Sequence, residues 1–177
     1  KNNTNFSIVR YGNVFGSRGS ILPKFKQLIQ ANSKSLPITH EEMTRFIITK
    51  EQGADFVINS LRLMRGGEIF VPKIPAVKII NLVRILYPSI KIKIIGIRPG
   101  EKLHEILIAK DEFNTVIEFK KYFVIRPSIK FYNVPLDYLN SLEKEKGTLL
   151  KEPYEYSSNL SNNFISDNKI LSKIKNI

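Results

Sequence analysis

Residues 6–20, FSIVRYGNVFGSRGS, decide the fold. Phe6-Ser7-Ile8-Val9-Arg10 has the length and β-branched content of a buried parallel strand, and it runs straight into a loop with glycines at 12, 16 and 19. In an open α/β sheet ligands settle beyond the carboxyl ends of the strands, where loop N–H groups and helix starts converge on a cleft. Position alone therefore makes this loop a candidate ligand site. Pro23 suits the first turn of a helix over about 22–31, with Phe25, Leu28 and Ile29 at helical spacing. The spacing Gly12-x3-Gly16-x2-Gly19 is only a weak dinucleotide fingerprint, because Asn13, Phe15 and Arg18 stand where small residues would let the backbone approach a pyrophosphate. The alternative is a loop that needs positive φ at two or three places.

Outward from this stretch, strand-like and helix-like segments alternate, the signature of an α/β fold. After a polar run at 32–35, Leu36-Pro37-Ile38-Thr39 is extended, since a residue before proline is pushed out of the helical region. Thr49 and Gln52 have the spacing of a capping box opening a helix through about Met64, with Phe56, Val57, Leu61 and Met64 near one face and Gly66-Gly67 as the stop. Residues 68–72, EIFVP, predict a second buried strand. Ile79, Ile80, Leu82, Val83 and Leu86 predict a helix ended by Tyr87-Pro88. Residues 90–97 alternate lysine with isoleucine, as in a half-buried strand. A short helix is expected over 101–109, with Leu103, Ile106 and Leu107 as its apolar stripe, and a single strand over 118–125. From Asn133 the chain turns polar and irregular, and Ser166-Asp167 has the look of a cap for a last helix through about Ile174.

Bulk properties narrow the classes. A chain of 177 residues, 42% hydrophobic and 25% charged, is an ordinary globular domain or part of one. Cysteine is absent, which excludes a disulfide framework and thiolate metal sites and fits a cytoplasmic setting. No run approaches the roughly 18 apolar residues of a membrane span, and no signal segment stands at the start, so no membrane partner is expected. The net charge of +12 could serve a polyanion, but the lysines are scattered and accompanied by an excess of Asn and Ile, the bias of an AT-rich genome. No aromatic-interleaved basic strip points to nucleic acid.

Arg98-Pro99-Gly100-Glu101 is the sharpest local constellation. Proline fixes the chain beside the cation and glycine allows a tight turn, so a guanidinium and a carboxylate leave one rigid corner. Arg98 can fork onto phosphate oxygens, and Glu101 can accept bonds from a pair of ribose hydroxyls. The competing reading is a surface Arg–Glu pair, worth about 0–1 kcal/mol. Arg45 is a further phosphate candidate, with a salt bridge at the edge of the core as its alternative. His40 and His104 lack a second histidine at metal spacing, so no metal site is expected. Tyr87 and Lys91 match the Tyr-x3-Lys spacing of short-chain dehydrogenases, but Pro88 forbids the single helix that this pair needs.

The strings RYGNVFGSRGS, LPIT at 36–39, MTRF at 43–46, GGEIFVPKIP at 66–75, IGIRPGEKLHEIL at 95–107 and EYSSN at 155–159 together resemble the C-terminal half of UDP-N-acetylglucosamine 4,6-dehydratases of the soluble inverting type. These are extended short-chain dehydrogenase/reductase enzymes that open bacterial pseudaminic-acid and related sugar pathways. The resemblance implies the C-terminal part of a Rossmann-type fold: 1–19 and 49–73 as the last strands and helix of the sheet, 20–48 and 74–132 as a small α+β substrate-binding lobe, and 133–177 as a C-terminal extension.

It also implies roles. Asn13 matches a contact to the UDP-sugar; Val14, Phe15, Gly16, Ser17 and Arg18 match the loop lying along bound NADP. Ile21 and Thr39 match contacts near the uridine end, and Arg98 with Glu101 match the pair assigned to the nucleotide-sugar. In such a site Asn13 and the loop N–H groups would be donors, Ile21 an apolar plate and Thr39 a hydroxyl. The chemistry of that family oxidises the sugar C4 hydroxyl by hydride transfer to NADP, removes water across C5 and C6, and returns the hydride at C6 with inversion at C5. Its cofactor fingerprint, Tyr-x3-Lys pair and elimination acid and base all precede the strand at Phe6, so no catalytic residue is expected in this chain. The expectation is a substrate-binding portion that acts with a missing N-terminal half, in cis or in trans, and forms a homo-oligomer when complete. The competing expectations are a non-catalytic nucleotide-sugar-binding remnant or interaction module, and another epimerase or reductase of the extended family.

Overall fold

The computed structural model describes residues 4–129, 137–166 and 170. Two compact units share the chain: Lys1–Tyr11, Glu51–Lys73 and Ile106–Tyr156 form the first, and Gly12–Lys50, Ile74–Glu105 and Ser157–Ile177 the second.

The first unit is built on a five-stranded sheet in the order Ile8–Val9, Ile69–Pro72, Tyr122–Ile125, Val116–Glu118, Thr148–Leu149. Only the first pair is parallel, with Ile8 opposite Ile69 and Val9 opposite Phe70; the remaining pairs are antiparallel. The strand at Ile8 is therefore parallel as expected, but it is an exposed edge among the described residues: Phe6 is 77% and Ile8 59% accessible. The helix Lys50–Leu63 turns Phe56 and Leu63 onto Phe70, Ile117, Phe119, Tyr122 and Val124, with Met64 beside them. Val57 and Leu61, expected on that apolar face, lie in solvent with Ile58. Gly66 and Gly67 end the segment at φ 115° and 83°, values that a side chain would resist. The buried Glu68 carboxylate accepts the Arg65 and Gly66 N–H groups, so it satisfies the turn's orphan donors. The single strand expected over 118–125 is a hairpin, because the chain reverses at Phe119, whose N–H donates to the Tyr122 carbonyl at 2.9 Å.

The second unit holds a three-stranded sheet in which Asn13–Val14 runs parallel to Thr44–Ile48 and Ala76–Lys78 runs antiparallel to it. A parallel pair, Ser35–Ile38 with Lys91–Ile94, stands beside the helices Ile21–Gln30 and Ile79–Leu86 in the same unit. Phe15, Phe25, Leu36, Ile38, Met43, Ile47, Val77, Leu82 and Val83 form its core. Pro23 is the third residue of its helix, a place where a missing N–H costs nothing. The alternating strand is wetter than expected, with Ile94, Ile95 and Ile97 exposed. The helix expected over 101–109 does not form. Residues 103–105 lie alongside Thr44 and Phe46, where Thr44 N–H donates to the Leu103 carbonyl, and Ile106–Ile108 is a strand. Packing overrides the local helical pattern there. The Ile170 N–H donates to the Ser166 carbonyl; the rest of the last helix expected through about Ile174, with Asp167 of its expected Ser166-Asp167 cap, lies outside the described residues.

Candidate functional site

Every residue expected at the site belongs to the second unit. The glycines of the loop divide their work. Gly16 and Gly19 adopt φ 70° and 76°, whereas Gly12 is needed for proximity, since a Cβ there would meet the Phe46 carbonyl oxygen at 2.7 Å. That close approach seats Asn13 opposite Ile47 and lets the Phe15 N–H donate to the Ile48 carbonyl. Asn13, Val14, Phe15, Gly16 and Ile21 then line one hollow of about 40 Å³, together with Ser20, Leu22, Arg45, Ile47, Ile79 and Leu82. Ser17, Arg18, Thr39, Arg98 and Glu101 are not among its lining residues. Phe15 contributes mainly as core, its ring being buried, and the Phe15, Ser17 and Ser20 N–H groups are already spent on backbone carbonyls.

The Arg98 corner is a turn closed by its own residues: the Glu101 N–H donates to the Arg98 carbonyl at 3.0 Å, with Gly100 at φ 78°. The Glu101 carboxylate accepts the Arg98 backbone N–H at 3.1 Å, so the bond that joins the two residues does not involve the guanidinium, which remains exposed. Thr39 is buried, and its one hydroxyl proton is shared between the Met43 sulfur at 3.1 Å and the Glu101 carboxylate at a long 3.4 Å.

Arg45 links this corner to the hollow. Its guanidinium donates to the carbonyls of Thr44, Leu103 and Lys102 at 2.7, 3.1 and 2.8 Å and lies 3.8 Å from the Glu105 carboxylate. These bonds fulfil the salt-bridge reading of Arg45 and leave little of it for a phosphate. Residues 102–105 thus run along Thr44–Phe46, with Glu101 beside Thr39 at one end and Glu105 beside Asn13 at the other.

Glu105 is the residue that sequence reasoning missed, because a helix was expected there. Its carboxylate accepts the Phe46 N–H at 2.9 Å, and burial pushes its pKa up despite that bond and Arg45. The Asn13 amide lies against both of its oxygens; assigned in the orientation that an ionised carboxylate requires, its nitrogen donates to Oε2 at 3.1 Å and more closely to Oε1. Its backbone is held by Ser158: the Glu105 N–H donates to Ser158 Oγ, and the Ser158 N–H donates to the Glu105 carbonyl, each at 2.8 Å. Ser158 Oγ also lies 2.7 Å from Thr44 Oγ1, which meets His104 Nδ1 at 2.8 Å. Burial and the nearby Arg45 lower the His104 pKa. The EYSSN string was the available signal for this clamp. No cluster of metal-ligating side chains occurs among the described residues, and none of their helices is long and apolar enough to cross a membrane. Tyr87 follows a helix and Lys91 opens a strand, so they share no helical face.

Parallel and antiparallel strands with packed helices in both units, and a glycine-bearing loop after the first strand, define a mixed α/β protein. The chain belongs to the polysaccharide biosynthesis protein family, whose pattern matches residues 1–127. It is 49% identical over 168 residues, 95% of this chain and 50% of the relative, to the UDP-N-acetylglucosamine 4,6-dehydratase (inverting) of Campylobacter jejuni subsp. jejuni serotype O:23/36 (strain 81-176). It is 38% identical over 157 residues, 81% of this chain and 26% of the relative, to the capsular polysaccharide biosynthesis protein CapD of Staphylococcus aureus. Among solved structures, Pen from Bacillus thuringiensis superposes with a TM-score of 0.79 at 30% identity over 97% of this chain and 50% of that one. The chain spans about half the length of the Campylobacter relative and of Pen.

Proposed function

We propose that this chain is the substrate-binding portion of an NADP-dependent, inverting UDP-N-acetylglucosamine 4,6-dehydratase serving bacterial surface-sugar synthesis of the pseudaminic-acid type, in the cytoplasm. The observation that carries the reading is the 49% identity to such a dehydratase across 95% of the chain. The geometry supports it. Asn13 and Ile21 share a hollow, Glu101 stands beside buried Thr39, and the exposed Arg98 guanidinium is suited to a diphosphate.

The loop fits a minor part of a cofactor site. Gly16, Arg18 and Gly19 could turn their N–H groups outward, while the other loop donors are spent internally. NADP, when bound, supplies the hydride acceptor and donor for the sugar; Val14, Gly16, Ser17 and Arg18 would lie along it, and the rest of its site belongs to an N-terminal portion. That portion would add its strands beside Ile8, whose exposed edge and apolar neighbours suit a continued sheet. A homo-oligomer is the expected state of the complete enzyme.

The test is complementation. Co-expressed with the N-terminal half of the Campylobacter dehydratase, the chain is expected to convert UDP-N-acetylglucosamine to a 4-keto-6-deoxy product, read by mass spectrometry, with either half alone inactive. A soluble co-complex that makes no product would overturn the reading.

A further inference from the structure

Asn13 and Glu105 are both referenced to one strand. Asn13 is paired with Ile47 in the sheet ladder, and Glu105 takes the N–H of the neighbouring Phe46 at 2.9 Å. Ser158 clamps the Glu105 backbone on both its N–H and its carbonyl, and the Ser157 hydroxyl adds a bond to that carbonyl at 3.3 Å. A side chain pinned at backbone and carboxylate has one direction left to act, and it faces the Asn13 amide. Against the ionised carboxylate, the opposite amide orientation would set a carbonyl oxygen against two carboxylate oxygens, so only one is stable while Glu105 is charged.

We propose that Glu105 is a positioning residue: its carboxylate consumes the Asn13 amide nitrogen and turns Oδ1 toward the hollow as a hydrogen-bond acceptor, which selects a ligand hydroxyl or amide N–H there over a phosphate oxygen. The ligand's identity rests on the nucleotide-sugar reading above; the amide's orientation does not. This reverses the expectation that Asn13 serves as a donor. Arg45 and Lys102 are the charged groups that act on Glu105, and burial outweighs both, so its carboxyl titrates above the ordinary glutamate range.

The experiment follows the Asn13 side-chain NH2 resonances of the nitrogen-15-labelled chain through a pH titration, alone and with UDP-N-acetylglucosamine. The NH2 signals are expected to move with one midpoint above the usual glutamate value, and this movement should vanish in Glu105→Gln. Nucleotide-sugar affinity at neutral pH should fall about tenfold in Glu105→Gln, the size of one charged hydrogen bond, and the wild type's loss of affinity on acidification should disappear with it. Asn13 signals that ignore the titration would overturn the proposal, as would a folded Glu105→Gln with wild-type affinity and pH profile. If the signals titrate as expected but the wild type binds no nucleotide-sugar, the functional reading fails and the amide placement stands.

Discussion

Arg10 shows how one residue can tie together distant parts of a sequence. Its guanidinium forks onto the Glu112 carboxylate at 2.9 to 3.2 Å and donates to the Leu107 carbonyl at 2.9 Å. Burial alone would raise the Glu112 pKa, but Arg10 and the Ala109 N–H outweigh it and hold the carboxyl below the usual carboxylate range. The stability that this pair contributes is therefore present above the ordinary glutamate pKa and lost as pH falls through the lowered value. With both side chains about a third exposed, Arg10→Met is expected to cost about 1 kcal/mol at neutral pH and to flatten the acid limb of the stability profile. Urea melts across pH 3–7 check both. Glu105 has the opposite sign. Its raised pKa means that ionisation at neutral pH works against folding, a cost that packing alone would not favour.

The helices Ile21–Gln30, Lys50–Leu63 and Ile79–Leu86, and the strands at Ile8, Ile69 and Lys91, were legible because each carries its period and its punctuation within its own residues. Residues 101–109 were not legible. Leu103, Ile106 and Leu107 keep helical spacing, yet the backbone there is taken by Thr44 and Ser158, and the Glu105 carboxylate by the Phe46 N–H, partners some 50 to 60 positions away. The same non-local bonds hid Glu105: the resemblance pointed to Asn13, Val14, Phe15, Gly16 and Ile21 of the hollow's lining, but not to the carboxylate beside the Asn13 amide. Gly12 is likewise explained only by its neighbour. Gly12→Ala drives a methyl into the Phe46 backbone and should cost about 1–3 kcal/mol, moving the Asn13 strand as it does so. A denaturant midpoint lowered in Gly12→Ala, with altered Asn13 amide signals, is the expected result; Gly53→Ala, at a helical position with open space, should stabilise slightly.

On the scale of the whole molecule, the first unit presents Phe6, Ile8, Val57, Ile58 and Leu61 to solvent, with Leu61 68% accessible. Apolar side chains this exposed contribute little to the fold of the unit, so Leu61→Lys should change its stability by less than about 0.5 kcal/mol. If they receive the N-terminal portion, Leu61→Lys together with Ile8→Lys should abolish co-purification with that portion while leaving the urea melt of the isolated chain nearly unchanged. Retained co-purification would place the docking surface elsewhere.

The two units are threaded through each other along the chain, which passes from one to the other after Tyr11, Lys50, Lys73, Glu105 and Tyr156. Trimming past Tyr11 from one end or past Ser157 from the other, or splitting the gene at any codon between those points, therefore damages both units at once. Loss of binding in a deletion series would report damage to folding, and only point replacements can reveal which side chains meet a sugar nucleotide.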